Sequence, residues 1–259
     1  MLTIGGVILG ALLTAGYERL KEWRSVMAFL GSNMTINSKL TNVLKKAAQQ
    51  VRNVSEKEND DLWEAYNSVG NLIYTLVEFG TREPDNVTDS YSNRVSLTAN
   101  MVQSFYAVED LISSGAYWSA SAVLRQHMET LARIIEYRVG KNRIDKKLPN
   151  VKNLPFNMAP NYGRLSELCH TSGGEILGDF SECLAGEGIA TTIPKFREEW
   201  ARDYFSLHIA HMLALAIEIW FLQEELYPEV DLPNIDDDIL NVANLLIKTG
   251  FWKEVNDKS

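Results

Sequence analysis

Two arginine–histidine pairs stand out in the sequence, because in each pair the histidine follows the arginine by six residues. They are Arg202 with His208 and Arg164 with His170. Arginine keeps its positive charge and histidine exchanges a proton near neutral pH, so all four are candidate catalytic residues for acid–base chemistry. On a regular helix this spacing separates two side chains by about 120° and about 9 Å along the axis. Catalysis at either pair therefore requires irregular helix geometry or a second chain.

The pair at Arg202 resembles the R-x(4–6)-H motif of the HEPN superfamily. Arg202 is followed by the polar residue Asp203, as that motif favours, whereas Arg164 is followed by Leu165, which departs from it. The resemblance implies an all-α effector with metal-independent ribonuclease activity in phage defence or in a toxin system. It also implies that the arginine stabilises a phosphorane while the histidine acts as acid or base, usually in a site that dimerisation completes.

A second resemblance surrounds the pair at Arg164. The chain matches the Y-x-x-L-S-x-x-x-H element of a group of uncharacterised bacterial helical proteins at Tyr162, Leu165, Ser166 and His170. Those proteins carry an L-R-x-x-x-E signature on an upstream helix, and this chain has it at Leu124, Arg125 and Glu129. The resemblance covers about residues 116–225 and implies a related fold more than an activity.

Charged residues form one stripe of the helix predicted around residues 116–139. They are Arg125, Glu129, Arg133 and Glu136. Their three- and four-residue spacing favours ion pairs, either solvated or between helices, over a polar active cleft. His127 lies on the opposite, apolar side, so we expect it in the core.

The sequence supports neither a metal site nor a cofactor site. Glu167 and His170 form one E-x-x-H motif, but a ferritin-like di-iron site needs two of them and two further glutamates. His208, His211 and Glu218 share nearly one helix face without supplying the second motif. A phosphate-binding loop and a G-x-S-x-G elbow are also absent from the sequence. We therefore expect no metal and no cofactor.

Composition narrows the range of partners. The net charge is −9 and the pI about 5.0, so the surface repels phosphate backbones and a general nucleic-acid coat is excluded, although RNA remains a candidate substrate. Cys169 and Cys183 are too few for a disulfide framework, and we expect reduced thiols.

The N-terminus carries an uncharged apolar run over residues 2–16, ending beside Tyr17. Positive charges follow the run at Arg19, Lys21 and Arg24, which favours an inner-membrane anchor over residues 2–17 with the remainder in the cytoplasm. The layout resembles a common bacterial one, in which a short anchor leads into a basic helix and a cytosolic helical domain. The alternative is a cytoplasmic protein in which this glycine-rich segment is a core helix.

Apolar residues recur at helical spacing almost throughout, which predicts an all-α multi-helix bundle with an N-terminal hydrophobic helix. We divide the chain into an anchor and basic linker helix, residues 1–30, and a cytosolic bundle, residues 31–259. Pro194 is expected to open the longest helix, about residues 195–227. Because residues 204–222 are apolar on nearly all sides, they predict a central buried helix, and His208, His211 and Glu218 disfavour a second membrane span.

Two classes of function follow. In the first, the chain is a membrane-associated HEPN-like ribonuclease that acts through one of the two arginine–histidine pairs. In the second, it is a non-catalytic helical interaction or scaffold module that acts as a homo-oligomer or with a protein partner. The ribonuclease requires an exposed arginine in a cleft with an accessible histidine, whereas the module requires only packing faces and an anchor.

Overall fold

A computed structural model describes residues 38–79, 87–140, 147–170 and 193–252. The predicted anchor, residues 2–17, and Cys183 lie outside these residues. The chain divides into two units, Met1–Lys46 and Ala47–Ser259. In the first unit the described residues are 38–46, where the first helix begins.

The described residues contain seven α-helices and no β-strand, which confirms the all-α prediction. The helices are α1 Ser38–Glu58, α2 Asp60–Phe79, α3 Asp89–Ser113, α4 Tyr117–Arg138, α5 Ala159–Cys169, α6 Glu198–Leu226 and α7 Asp236–Lys248. A short 3-10 turn, Val151–Asn153, lies between α4 and α5.

Local chemistry sets several of the helix ends. The Thr88 side chain accepts a hydrogen bond from the Tyr91 backbone N–H, so α3 begins at Asp89. Gly115 adopts a φ of +79°, which allows the tight turn between α3 and α4. Pro194 does not open α6, because Arg197 has extended backbone angles and the helix begins only at Glu198.

Helix α6 is the centre of the second unit. It packs against α2, α3, α4 and α7, while α4 also packs against α3 and α5. Every residue from Tyr204 to Ala216 is buried, which confirms the predicted central helix. Among the described residues, α6 is the helix long and apolar enough to cross a membrane, but 83% of its most apolar stretch is buried in the bundle. Its apolar character is that of a core helix.

Candidate functional site

Arg202, near the start of α6, is held in an ion pair. Its Nη1 and Nη2 donate to the two carboxylate oxygens of Asp61, on α2, at 3.2 and 2.8 Å. Nη1 also lies 3.3 Å from the Glu58 carbonyl oxygen. The hydrogen bond from Arg202 lowers the pKa of Asp61 below its usual value, as expected for a stable pair. Arg202 thus joins the start of α6 to the start of α2.

His208, in contrast, is fully buried. Its ring lies 5.5 Å from Phe105 and 5.9 Å from Tyr66, measured between ring centroids. Burial, and secondarily the neighbouring His127, lowers the pKa of His208 well below its usual value, so the ring is neutral at pH 7. The ring is inaccessible to a substrate in this conformation. The structure does not bring His208 together with Arg202, and the catalytic role of this pair stays a prediction.

Arg164, on α5, lies on the surface over α6. Its Nη1 donates to Asp203 Oδ2 at 3.0 Å, and its guanidinium carbon lies 4.4 Å from the centroid of the Trp200 ring. Both members of this ion pair are about two-fifths exposed. A cavity of about 80 Å³ adjoins them, bounded on its buried side by Tyr204. Asp203 is the polar residue that follows Arg202 in the motif, but its ion-pair partner is Arg164.

His170 caps the C-terminal end of α5. Its backbone N–H donates to the Ser166 carbonyl at 3.0 Å, and its side chain is exposed. His170 follows Arg164 by six residues, which corresponds to a rise of about 9 Å along the axis of α5. Of the two predicted pairs, the pair of Arg164 and His170 is the one in which both side chains are open to solvent. The catalytic role of this pair also stays a prediction.

The two signatures of the second resemblance meet in space. Tyr162, on α5, donates its hydroxyl to Glu129 Oε1 at 2.8 Å. Arg125 Nη2 lies 3.2 Å from the same oxygen and 3.4 Å from the Tyr162 hydroxyl. The hydrogen bond with Tyr162 raises the pKa of Arg125, whose charge is permanent in any case. This triad ties α4 to α5, and its contacts are those of a structural clamp.

The predicted ion pairs of α4 are present, and they face other elements rather than open solvent. Arg133 and Glu136 are 2.8 Å apart, and Glu136 also accepts from the Asn150 backbone N–H at 2.9 Å. At the end of α4, Arg138 makes two hydrogen bonds, of 2.8 and 3.0 Å, to the buried carboxylate of Glu218 on α6. The stripe is thus an inter-element ladder, one of the alternatives that the sequence left open.

Three histidines form a cluster in the core. His127, on α4, lies 6.2 Å from His208 and 6.1 Å from His211 between ring centroids, and His127 is buried as predicted. His127 Nε2 bonds to Ser104 Oγ at 2.6 Å. The other five ring nitrogens have no hydrogen-bond partner among the described residues. Such a cluster is stable only while its rings are neutral, because a buried charge without a partner is costly.

The cluster does not form a metal centre in this conformation. Within residues 38–79, 87–140, 147–170 and 193–252, no group of three or more histidine, cysteine, aspartate or glutamate side chains is arranged to hold a metal ion.

A groove lies between α2 and α3, with α6 as its floor. Its main section has a volume of about 560 Å³, and a second section of about 330 Å³ adjoins it at Val77 and Val102, which line both. None of the described residues that line either section is charged. We call this surface the α2–α3 groove. Its principal apolar lining residues are Tyr66, Val77, Val87, Tyr91, Val95, Val102, Phe105, Met212, Ile219, Leu222 and Leu226.

The lining of the α2–α3 groove contains two buried polar groups with unused hydrogen-bonding capacity, one on α6 and one on α3. The side-chain amide of Gln223 donates a hydrogen bond through its nitrogen to the Leu76 carbonyl. The other polar atom of this amide, Oε1, has no hydrogen-bond partner among the described residues. The same holds for Thr98 Oγ1. Apolar walls with a few unsatisfied polar atoms are typical of a binding surface.

The motif search did not identify the α2–α3 groove, but a signal for it was available. Between residues 90 and 108 the sequence has one charged residue, Arg94, and that side chain is buried against Glu225. The solvent side of α3 from Ser92 to Ala107 is therefore uncharged. In a chain that is 23% charged, an uncharged exposed helix face indicates a contact surface.

Comparison with known proteins gives no match: no family model, no curated protein and no solved structure is significantly similar to this chain.

Proposed function

We propose that this chain is a membrane-associated, non-catalytic interaction module that binds protein through the α2–α3 groove. The observation that carries the proposal is the groove itself, which is long, apolar, uncharged and bordered by exposed side chains. The exposed large side chains in or beside it are Tyr74, Val77, Val87, Val95 and Tyr106.

The physical reason is the cost of leaving such a surface in water. Each square ångström of apolar surface removed from water contributes about 25 cal/mol, so covering this groove provides a driving force for association. Because Val95 and Val77 are about half exposed, a bound protein segment would remove water from both walls.

The proposal is tested in cells with a photo-crosslinking amino acid at position 95. The matched control places it at position 240, because Leu240 is also exposed and apolar but lies on α7 and does not line the groove. We expect a protein adduct of discrete mass from position 95 and none from position 240. Equal labelling from the two positions, or no adduct from either, would remove the groove as a protein contact.

A ribonuclease acting through Arg164 and His170 is the second candidate function. This pair is favoured because both of its side chains are exposed to solvent. The other pair is unsuited to substrate contact, because Arg202 is held by Asp61 and His208 is buried. The test is incubation of the purified chain with end-labelled single-stranded RNA in chelator. Cleavage that His170→Ala abolishes without lowering the melting temperature would support the enzyme. An intact RNA substrate would exclude it.

Membrane association is the part of the proposal that rests on residues 2–17, and its support is their uncharged sequence followed by Arg19, Lys21 and Arg24. The test is cell fractionation. The full-length chain should sediment with the inner membrane, and a chain lacking residues 2–17 should remain in the soluble fraction. Identical distribution of the two would favour the cytoplasmic alternative.

A further inference from the structure

The charges around the α2–α3 groove distinguish between its possible partners. A heterologous partner can present charges opposite to those of its target, and most specific interfaces between different proteins use such complementarity. A second copy of the same chain, docked about a twofold axis, brings each central residue close to its own counterpart, so any charge there faces a like charge. A self-associating surface must therefore be uncharged at its centre.

The solvent face of α3 meets this requirement. Its exposed residues between positions 92 and 107 are Ser92, Asn93, Val95, Ser96, Ala99, Asn100, Gln103, Tyr106 and Ala107. The facing helix α2 has no lysine or arginine, and its section between Glu64 and Glu78 is uncharged. Because each chain carries −9 overall, two copies repel each other on most approaches, and this face is one where they can meet without that cost.

We propose that the occupant of the α2–α3 groove is a second copy of this chain, with the two α3 helices antiparallel across a twofold axis near Ala99. The proposal rests on the interaction function given above and commits it to one partner. The uncharged face of α3 spans about 24 Å, and with α2 beside it is about 20 Å wide. Taken as flat, that outline covers about 480 Å² per partner, which is at the low end of the areas that specific interfaces bury.

A single side chain gives the register. Val95, Ala99, Val102 and Tyr106 lie on one stripe of α3, and the first three line the groove. Tyr106 lies outside the groove and is 72% exposed, a large fraction for an aromatic side chain. With the axis at Ala99, Tyr106 is about 10 Å from the axis and lies opposite Ser92 of the other copy. That position is beside the partner copy's groove.

Tyr106 also has the chemistry that the groove accepts. Its ring is apolar, matching the valine-rich walls, and its hydroxyl is a hydrogen-bond donor. Gln223 Oε1, on the groove floor, can only accept a hydrogen bond, and Thr98 Oγ1 can accept one as well. A lipid chain with ester oxygens provides no donor for either atom, so the unsatisfied acceptors favour a protein side chain over a lipid.

Cysteine crosslinking of the full chain in native membranes tests both the partner and the register. The parent carries Cys169→Ser and Cys183→Ser, which removes the two natural thiols. Under mild oxidation, Ala99→Cys should form a disulfide-linked species of twice the 29.2 kDa chain mass, because position 99 faces itself. Leu240→Cys is the matched exposed control and should remain monomeric.

The antiparallel register is tested by mixing two variants that carry different affinity tags. Ser92→Cys and Tyr106→Cys, coexpressed, should crosslink at least fivefold more to each other than either does to itself. Stronger self-crosslinking of each variant would contradict the antiparallel arrangement. No dimer from Ala99→Cys above the position 240 control would overturn the second copy as partner. If position 95 still captures another protein in that case, the interaction function stands with a different partner, and if it captures none, both proposals fail.

Discussion

Acidification should destabilise this protein through the buried histidine cluster. In the folded chain, burial lowers the pKa of His127 from its ordinary 6.5 to about 4. Burial also lowers the pKa of His208 and His211 well below that ordinary value. In the unfolded chain all three are solvated and titrate near 6.5. Below pH 6.5 the unfolded state therefore binds protons that the folded state does not, and the free energy of unfolding falls.

The size of the loss follows from these pKa values. At pH 5.5, one histidine with an unfolded pKa of 6.5 and a folded pKa of about 4 removes about 1.4 kcal/mol relative to pH 7.5. Burial also lowers the folded pKa of His208 and His211, so both add losses in the same direction. The loss from His127 alone is already a sizeable part of the 5–15 kcal/mol typical of a folded domain. Below pH 4 the loss stops growing for His127, because its folded ring then also takes up a proton.

Other groups have small or opposite effects in this range. Burial raises the pKa of Glu109, so proton uptake by Glu109 favours the folded state as the pH falls. The hydrogen bond from Arg202 lowers the pKa of Asp61 from its ordinary 3.8, so Asp61 contributes only at more acidic pH. Tyr66, which contacts His208, has a raised pKa and stays neutral. The slope between pH 7.5 and 5.5 is therefore dominated by the cluster.

The assay is urea denaturation of the full chain at pH 7.5 and pH 5.5. His127→Gln keeps a hydrogen-bonding group near Ser104 but does not titrate, and it should reduce the pH-dependent loss by about 1.4 kcal/mol. His208→Phe and His211→Leu should each also reduce the pH-dependent loss, whatever their effect on stability at pH 7.5. The control is His170→Gln, on the exposed residue, which should leave the loss unchanged. Equal stability of the wild type at the two pH values, or a loss that the cluster variants do not alter, would refute this reasoning.

Substitutions at three further sites, with one matched control, test the packing of the bundle by denaturant titration. Gly115→Ala should cost about 1–3 kcal/mol, because φ is +79° and a Cβ would lie 3.0 Å from the Lys195 carbonyl oxygen; Gly163→Ala, in open helical surroundings, should instead be neutral or stabilising. Arg138→Met should cost about 3 kcal/mol, because it leaves the Glu218 carboxylate buried without its partner. Tyr162→Phe should cost about 1 kcal/mol, because it removes the hydrogen bond to partly exposed Glu129. A cost within 0.5 kcal/mol of zero for Gly115→Ala or Arg138→Met, or a milder effect at Gly115 than at Gly163, would contradict the corresponding contact.

Local patterns accounted for most of the fold. The 3.6-residue period of apolar side chains predicted the helix around residues 116–139 and the long helix around residues 195–227, observed as Tyr117–Arg138 and Glu198–Leu226, because each apolar stripe must be buried. The main error was at Pro194, where extended backbone through Arg197 delays α6 to Glu198. The burial of His127 and the ion pairs of α4 were also predicted, because both depend on which face of one helix a residue occupies.

The site could be predicted much less well, because it depends on contacts between distant segments. Arg202 pairs with Asp61, 141 positions away, and no local pattern in the sequence specifies that partner. The triad of Arg125, Glu129 and Tyr162 requires the packing angle of α4 on α5. The α2–α3 groove arises from the spacing of two helices on a third, which the periodicity of any one helix does not contain.

Sedimentation velocity of the full chain in a density-matched neutral detergent tests most directly whether the uncharged face of α3 is a contact surface. We predict a mass of twice 29.2 kDa for the wild type and for Ala99→Ser, and of 29.2 kDa for Ala99→Asp, in which two carboxylates would meet at the axis. The same mass for the wild type and Ala99→Asp would contradict it.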